Sequence, residues 1–269
     1  MHWLEATFGT RAPLVGVVHL APLPGSAGYG GSDDEIMRLA RDSAAALWDA
    51  GFDGIMLENF GDTPFHPDSV EPHVVGLVSV LVREFSARGP CGVNLLRNAA
   101  RDALAAAFAG GGAFIRVNIH TGAALTDQGV IQGRAWETLR YRRVLGARVG
   151  IMADIQVKHA VPLAPRDPVE EARDSVERGL ADALIVTGPR TGTLGNPARA
   201  RALKEALPDV PVFMGSGVNH DNVGRVLEDA DGVIVSSALE SGCGRIDPAR
   251  AAAFVKAARG ANRHRRDHA

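Results

Sequence analysis

The stretch PVFMGSGVNHDNVGRVLEDADGVIVSSAL, residues 211–239, decides the fold. An apolar run at 211–214 breaks at Gly215, Ser216 and Gly217, and an amphipathic segment follows over 221–227. A second apolar run, 232–235, ends at Ser236 and Ser237. Two buried strands joined by a helix make a βαβ unit, and here each strand opens at its C-terminal end into small, hydroxyl-bearing residues. In a β/α barrel the loops after strands seven and eight are where a phosphate is most often held, on backbone N–H groups and a helix N-terminus. Glycine lets the backbone approach an anion, and serine adds a hydroxyl donor. Gly215, Ser216, Gly217, Ser236 and Ser237 are therefore expected to hold a phosphate. The plainer alternative is that the two glycines only make a tight turn.

Outward from this stretch the same unit keeps returning. Short apolar runs occupy 15–19, 54–58, 91–95, 114–118, 149–154, 183–187, 212–215 and 232–236. That is the number a closed parallel barrel needs. The segments between them, 33–50, 74–87, 99–109, 133–145, 168–179, 197–207, 221–227 and 248–258, are rich in Ala, Leu, Arg and Glu at helical spacing. Ser32 precedes an acidic first turn as an N-cap, and Pro168, Pro197 and Pro248 sit where first helical residues belong. Gly51, Gly89 and Gly179 are expected to end helices. An open doubly wound sheet would want GxGxxG after its first strand, which is absent. The expectation is α/β: one domain over 1–269, a parallel (β/α)8 TIM barrel with phosphate-type loops after strands 7 and 8. The basic tail 259–269 (RGANRHRRDHA) is expected to be a solvated, frayed end.

Composition narrows the partners. The 29 basic and 31 acidic residues leave a net charge of −2, which gives no electrostatic case for nucleic acid. No apolar run is long enough to span a bilayer, and the first residues lack a leader pattern. Cys91, expected inside a strand, and Cys243, expected in a Gly-rich loop, form no spacing motif, which suits a reducing cytoplasm. A homo-oligomer stays open.

In a barrel, polar residues at the C-terminal ends of strands read as site residues. Here they are His19, Glu58 with Asn59, Asn94, Asn118 with His120, Asp154 with Gln156, Lys158 and His159, and Thr187 with Gly188. Each has a plainer role alone: a core histidine, anchors for loop amides, a lysine paired with a carboxylate. The set sharing one rim points to a polar ligand, because burying such groups unpaired is costly. Glu58 and Asp154 are the expected acid and base. Lys158 would neutralise an oxyanion, or form a Schiff base if buried with a depressed pKa. His19 joins them in proton transfer, and Asn94, Asn118, His120, His159, Thr187 and Gly188 are expected to contact ligand. No HxH or HExxH spacing supports a metal, so no cofactor is required, although a divalent ion at the carboxylates stays open. Two long loops complete the rim. The loop 20–32 (LAPLPGSAGYGGS) is either a lid or an ordinary surface loop, and 119–132 (IHTGAALTDQGVIQ) leads into the next helix.

The chain resembles the BtpA/SgcQ family. The matching segments are VGVVHLAPLPGS (15–26), DGIMLENFGDTPF (53–65), GVNLLRN (92–98), FIRVNIHTGAALTDQGVIQGRAWETLRYRR (114–143), ADIQVKHAVPLA (153–164), ADALIVTGPRTG (181–192), GSGVNHDNV (215–223) and ADGVIVSSAL (230–239). The resemblance covers nearly the whole chain and implies a (β/α)8 barrel. One departure is Gln156, where His is common in the family. The family is named partly for a factor needed to accumulate photosystem I and partly for a member linked to sugar-phosphate metabolism. Two readings follow. The first is an enzyme acting on a small phosphorylated sugar or nucleoside-like metabolite, as a lyase, isomerase or glycosidic-bond hydrolase. The second is a non-enzymatic assembly factor built on a barrel. Clustered carboxylates, lysine and histidines favour the enzyme.

Overall fold

The computed structural model describes residues 3–188, 190, 192–242 and 244–266, with no side chains described for 262–266. Eight parallel strands close into a barrel: β1 (Leu14–His19), β2 (Gly54–Glu58), β3 (Cys91–Asn94), β4 (Phe114–Val117), β5 (Gly150–Ile155), β6 (Ala183–Thr187), β7 (Val212–Gly215) and β8 (Gly232–Val235). Each pairs with its sequence neighbours, and β1 closes onto β8 with Leu14 opposite Val233. All eight expected runs are barrel strands. Outside them run α2 (Asp33–Ala50), α3 (Pro72–Phe85), α4 (Ala100–Gly110), α5 (Ala135–Leu145), α6 (Pro168–Arg173), α7 (Pro197–Ala206), α8 (Val223–Asp229) and α9 (Pro248–Arg266), preceded by a short α1 (Trp3–Phe8). Ser32 caps α2 by accepting from the Glu35 amide, as expected.

A period of two sorts the strand residues. Leu14, Val18, Ile55, Leu57, Ile115, Val117, Leu184 and Val186 face the helices and form the main core with them. Val15, Val17, Met56, Phe114, Met152, Ala183, Ile185, Phe213 and Ile234 fill the barrel interior. The helix α1 plugs the N-terminal end, where Leu4 and Phe8 join this inner cluster and Phe8 lies 5.5 Å from Phe114 and 6.2 Å from Phe213. Gly54 opens β2 because a Cβ there would stand 2.8 Å from the Phe8 ring. No periodic signal announces so short a helix.

The same end carries a repeated clamp. Asp53, Asp182 and Asp231 immediately precede β2, β6 and β8. Their carboxylates accept from the amides of Leu14 (2.7 Å), Ile151 (2.8 Å) and Val212 (2.9 Å), at or near the start of the preceding strand. The backbone bond runs the other way, from Asp53 to Leu14, Asp182 to Ile151 and Asp231 to Val212. A cation from an outer helix completes each clamp: Arg259 at 2.5 Å, Arg142 at 2.9 Å and Lys204 at 2.8 Å. Between β3 and β4 only the backbone bond remains, from Ala113 to Cys91.

Several expectations need correction. Residues 119–132 form a hairpin, Ala123–Thr126 with Gly129–Gln132, which pairs with Ala160–Pro162 to give a three-stranded antiparallel sheet. Its register puts Ala124 and Ile131 inward with Val157, so it has a small core of its own. The last helix runs on through Arg266, with Arg259 held by Asp53; 267–269 lie outside the described residues. Among the three expected helix-ending glycines, Gly51 is left-handed (φ 93°), whereas Gly179 closes a π-helical turn at φ −88° and Gly89 follows a helix that ends at Phe85 and is capped by Ser86. The first loop is tied down: the Leu23 amide donates to Asp62, and His73 reaches the Pro24 carbonyl. Cys91 is buried in β3, and Cys243 lies outside the described residues.

Candidate functional site

The inward parity that fills the barrel with Val17, Met56, Phe114, Met152, Ile185 and Ile234 places His19, Glu58, Arg116, Asp154, Thr187 and Ser236 in the layer above them. A floor of apolar side chains thus carries a ring of charge, and nearly all of it is buried.

Arg116 sits at the centre. Its Nε donates to both Asp154 carboxylate oxygens, at 3.2 and 3.1 Å, and its Nη1 lies 3.9 Å from Glu58 Oε2. Asn118 donates to Asp154 at 2.7 Å and Asn94 to Glu58 at 2.6 Å. His19 lies between two carboxylates, with Nδ1 2.8 Å from Glu240 and Nε2 3.5 Å from Glu58. Its ring stacks on Phe60 with centroids 4.3 Å apart. Glu240 reaches it because the short turn Ser237–Leu239 folds the chain back at the end of β8, and Ser236 donates to the same carboxylate at 2.5 Å.

These contacts set the charges. Burial works against a charged His19, but hydrogen bonds to Glu240 and Glu58 outweigh it and raise its pKa to about 9. Burial also opposes the Glu58 carboxylate, yet His19, Lys158 and Arg116 hold it well below the usual range. Glu240 is lowered too, by His19 and Ser236 against burial. Lys158 goes the other way: burial is the largest influence and lowers its pKa, with Arg116 and Arg97 adding to it and Glu58 and Asp154 opposing. An imidazolium and an amine with a weakened hold on its proton therefore border the same space.

That space is a cavity of about 270 Å³ lined by His19, Glu58, Arg116 and Lys158 together with Ser216, Gly217, Ser236 and Ser237. Among the described residues, the amides of Ser216, Gly217, Ser237 and Ala238 donate to no protein acceptor outside regular secondary structure. An adjoining cavity of about 240 Å³ shares the Glu58, Arg116 and Lys158 wall and continues past Asn94, Asn118, His159, Arg97, Phe60 and Phe65.

Other expected residues stand elsewhere. Asp154 pairs with Arg116, has a fully buried side chain and does not line the central cavity. His120 points under the hairpin, its Nε2 2.7 Å from the Gly179 carbonyl, and burial lowers its pKa. Thr187 accepts from the Lys158 amide at 3.2 Å. Gly188 and Gly217 both abut the Thr193–Leu194 backbone, which a Cβ at either position would strike, and Gly217 is left-handed at φ 66°. Gly217 is thus required by packing whether or not an anion binds. Gly215 is buried in β7, and Gln156 pins the Arg166 carbonyl. The Ser236 hydroxyl donates to Glu240.

Arg116, Glu240, Phe60 and Arg97 were not foreseen. Arg116 had a signal, since it shares its parity with Phe114 and Asn118 within an apolar run. Glu240 had none, because its reach depends on the turn. Among the described residues no group of three or more His, Cys, Asp or Glu side chains is arranged to hold a metal ion. No helix among them is long and apolar enough to cross a membrane.

The sequence model of the BtpA family matches residues 10–260. The chain is 44% identical over 259 residues to the Photosystem I biogenesis protein BtpA of Synechocystis sp., covering 94% of this chain and 90% of that protein. Among solved structures, the native KDPGal structure superposes with a TM-score of 0.60 at 21% identity, covering 96% and 99% of the two chains. N-(5'-phosphoribosyl)anthranilate isomerase from Pyrococcus furiosus gives 0.54 at 16% identity, covering 92% and 99%. At these identities the structural likeness speaks for the TIM-barrel fold alone.

Proposed function

The chain belongs to the BtpA family, and from its barrel mouth we infer an enzyme that acts by acid–base chemistry on a phosphorylated sugar or nucleoside-like metabolite in the cytoplasm. The observation that carries this reading is the opposed pair in one cavity: His19, held as an imidazolium, and Lys158, whose burial favours the neutral amine. Environments that push two titratable groups apart mark an acid and a base. Lys158 takes a proton beside a carbonyl, or attacks the carbonyl itself, and His19 supplies a proton to the oxygen that gains charge. Glu58, held ionised, keeps His19 charged and accepts from Asn94. Arg116 is fixed by Asp154 and offsets the negative charge of the wall.

The phosphate goes to the amides of Ser216, Gly217, Ser237 and Ala238, in the same cavity as Lys158. Isomerisation and carbon–carbon cleavage next to a carbonyl suit the pair best. Small molecules retained on the natively purified protein, identified by mass spectrometry, should include a phosphorylated metabolite. Its turnover should fall at least ~10²-fold in Lys158→Met and His19→Gln. A retained ligand without phosphate, or full turnover in both variants, would sink the reading.

A second reading, an assembly factor, draws on the name of the Synechocystis relative and on the exposed Leu125, Val130 and Val161 of the hairpin sheet. An assembly role would survive the loss of both Lys158 and His19.

A further inference from the structure

We propose that the second cavity is a hydroxyl-reading subsite in which Asn94 and Asn118 select a polyhydroxylated, uncharged end of the substrate, opposite its phosphate. This rests on the reading above for the phosphate, but not for the hydroxyls.

Asn94 ends β3, and Asn118 follows β4 on the neighbouring strand. Both are more than nine-tenths buried, and both border the second cavity. Each amide faces a carboxylate: Asn94 Nδ2 donates to Glu58 and Asn118 Nδ2 to Asp154. A carboxylate paired with a cation only accepts, so the NH₂ group must face it and neither amide can flip. The orientation of both oxygens is thereby fixed, and neither Oδ1 has a hydrogen-bond partner in the protein. Unmatched buried acceptors are costly, so the group that belongs there is a donor.

The cations of the same wall are paired with carboxylates, although Arg116 Nη2 and Arg97 Nε each lack a hydrogen-bond partner. Arg116 is held by Asp154 and Glu58, and Arg97 by Asp127 at 3.3 Å and by the Lys158 and His159 carbonyls at 3.1 and 3.0 Å. A second carboxylate or phosphate would bring more acceptors to two fixed oxygens and an ionised Glu58. A hydroxyl both donates and accepts, which suits this wall. Phe60 and Phe65 line the cavity as well and offer aromatic surface to the C–H face of a sugar.

The test is calorimetric titration of the full chain with inorganic phosphate, 2-phosphoglycolate, D-ribose, D-ribose 5-phosphate, D-xylulose 5-phosphate and D-fructose 6-phosphate. At least one sugar phosphate should bind about tenfold or more tightly than both phosphate and phosphoglycolate. Asn94→Leu and Asn118→Leu should bring it down to the level of phosphate while phosphate itself changes less than about twofold. Should the variants not fold, the wild-type ranking decides alone. Phosphoglycolate binding as well as the best sugar phosphate, or a sugar preference intact in both folded variants, overturns the subsite. Phosphate binding with no gain from any sugar also removes the subsite and leaves the phosphate site standing. D-ribose binding where phosphate does not would keep the subsite and remove the phosphate site. No binding of any probe removes both.

Discussion

His19 takes its charge from two carboxylates that come from opposite ends of the chain, Glu58 on β2 and Glu240 beyond β8. Nuclear magnetic resonance of the ring should find it protonated through neutral pH and titrating near 9, and Glu240→Gln should lower that value. Because the folded pKa lies above the ordinary 6.5, the stabilisation from this group is complete below about 6.5 and disappears as the pH rises toward 9. Glu58 has the opposite sign: its share is present above its ordinary value and fades only well into the acid range. The two describe one ion pair and should not be added. Denaturant midpoints between pH 6 and 9 should therefore fall in wild type and fall less in Glu240→Gln. A flat wild-type profile would contradict the pairing. At this scale the sequence was partly legible. The place of His19, Glu58 and Lys158 at strand ends pointed to residues that line one cavity. For Asp154 a strand end gave a position and not a partner, and the partner, Arg116, lay hidden among apolar neighbours.

Among the elements, the strands read most clearly, since a run buried on both faces has no competing interpretation once Gly and Pro bound it. The loops read worst. The hairpin at 123–132 looks polar and irregular, yet Leu125 faces both Val130 and Val161 across the sheet, and that pairing with Ala160–Pro162 is non-local. The helix α1 was invisible because its six residues have no period to detect, and only the barrel they plug explains them. Its contribution is measurable. Phe8→Ala removes a ring packed against Phe114 and Phe213 and should cost about 3–5 kcal/mol in urea unfolding, with little change in ligand affinity at the far end. A loss under about 1 kcal/mol would mean that the plug is not part of the cooperative core.

For the whole molecule, the two ends of the barrel hold different kinds of polar group. At the mouth, carboxylates meet cations in a shared and partly unmatched network. At the foot, each of three aspartates has a backbone amide and one helix-borne cation to itself. Asp53→Ala and Asp182→Ala should each cost about 1–3 kcal/mol. Lying on separate strand pairs, they should add within about 0.5 kcal/mol in the double variant, and a larger coupling would show that the clamps act as one ring. The closed architecture was readable from the count and spacing of the runs. The clamps were also in plain sight, as Asp-Gly or Asp-Ala opening three apolar runs, but their meaning needs the neighbouring strand.

That arrangement bears on how such a chain can be inherited. A β-α-β pair that carries its own aspartate and amide brings that part of its alignment with it when it is copied, while the cation comes from a helix outside the pair. A descendant built from duplicated pairs has to settle only the seams between them. The pair β3–β4, which keeps the backbone bond without the carboxylate, shows that one such mark can be absent from a barrel that still closes. Changes at the mouth leave these marks untouched, so a lineage can rework what it binds without rewriting how its strands find one another.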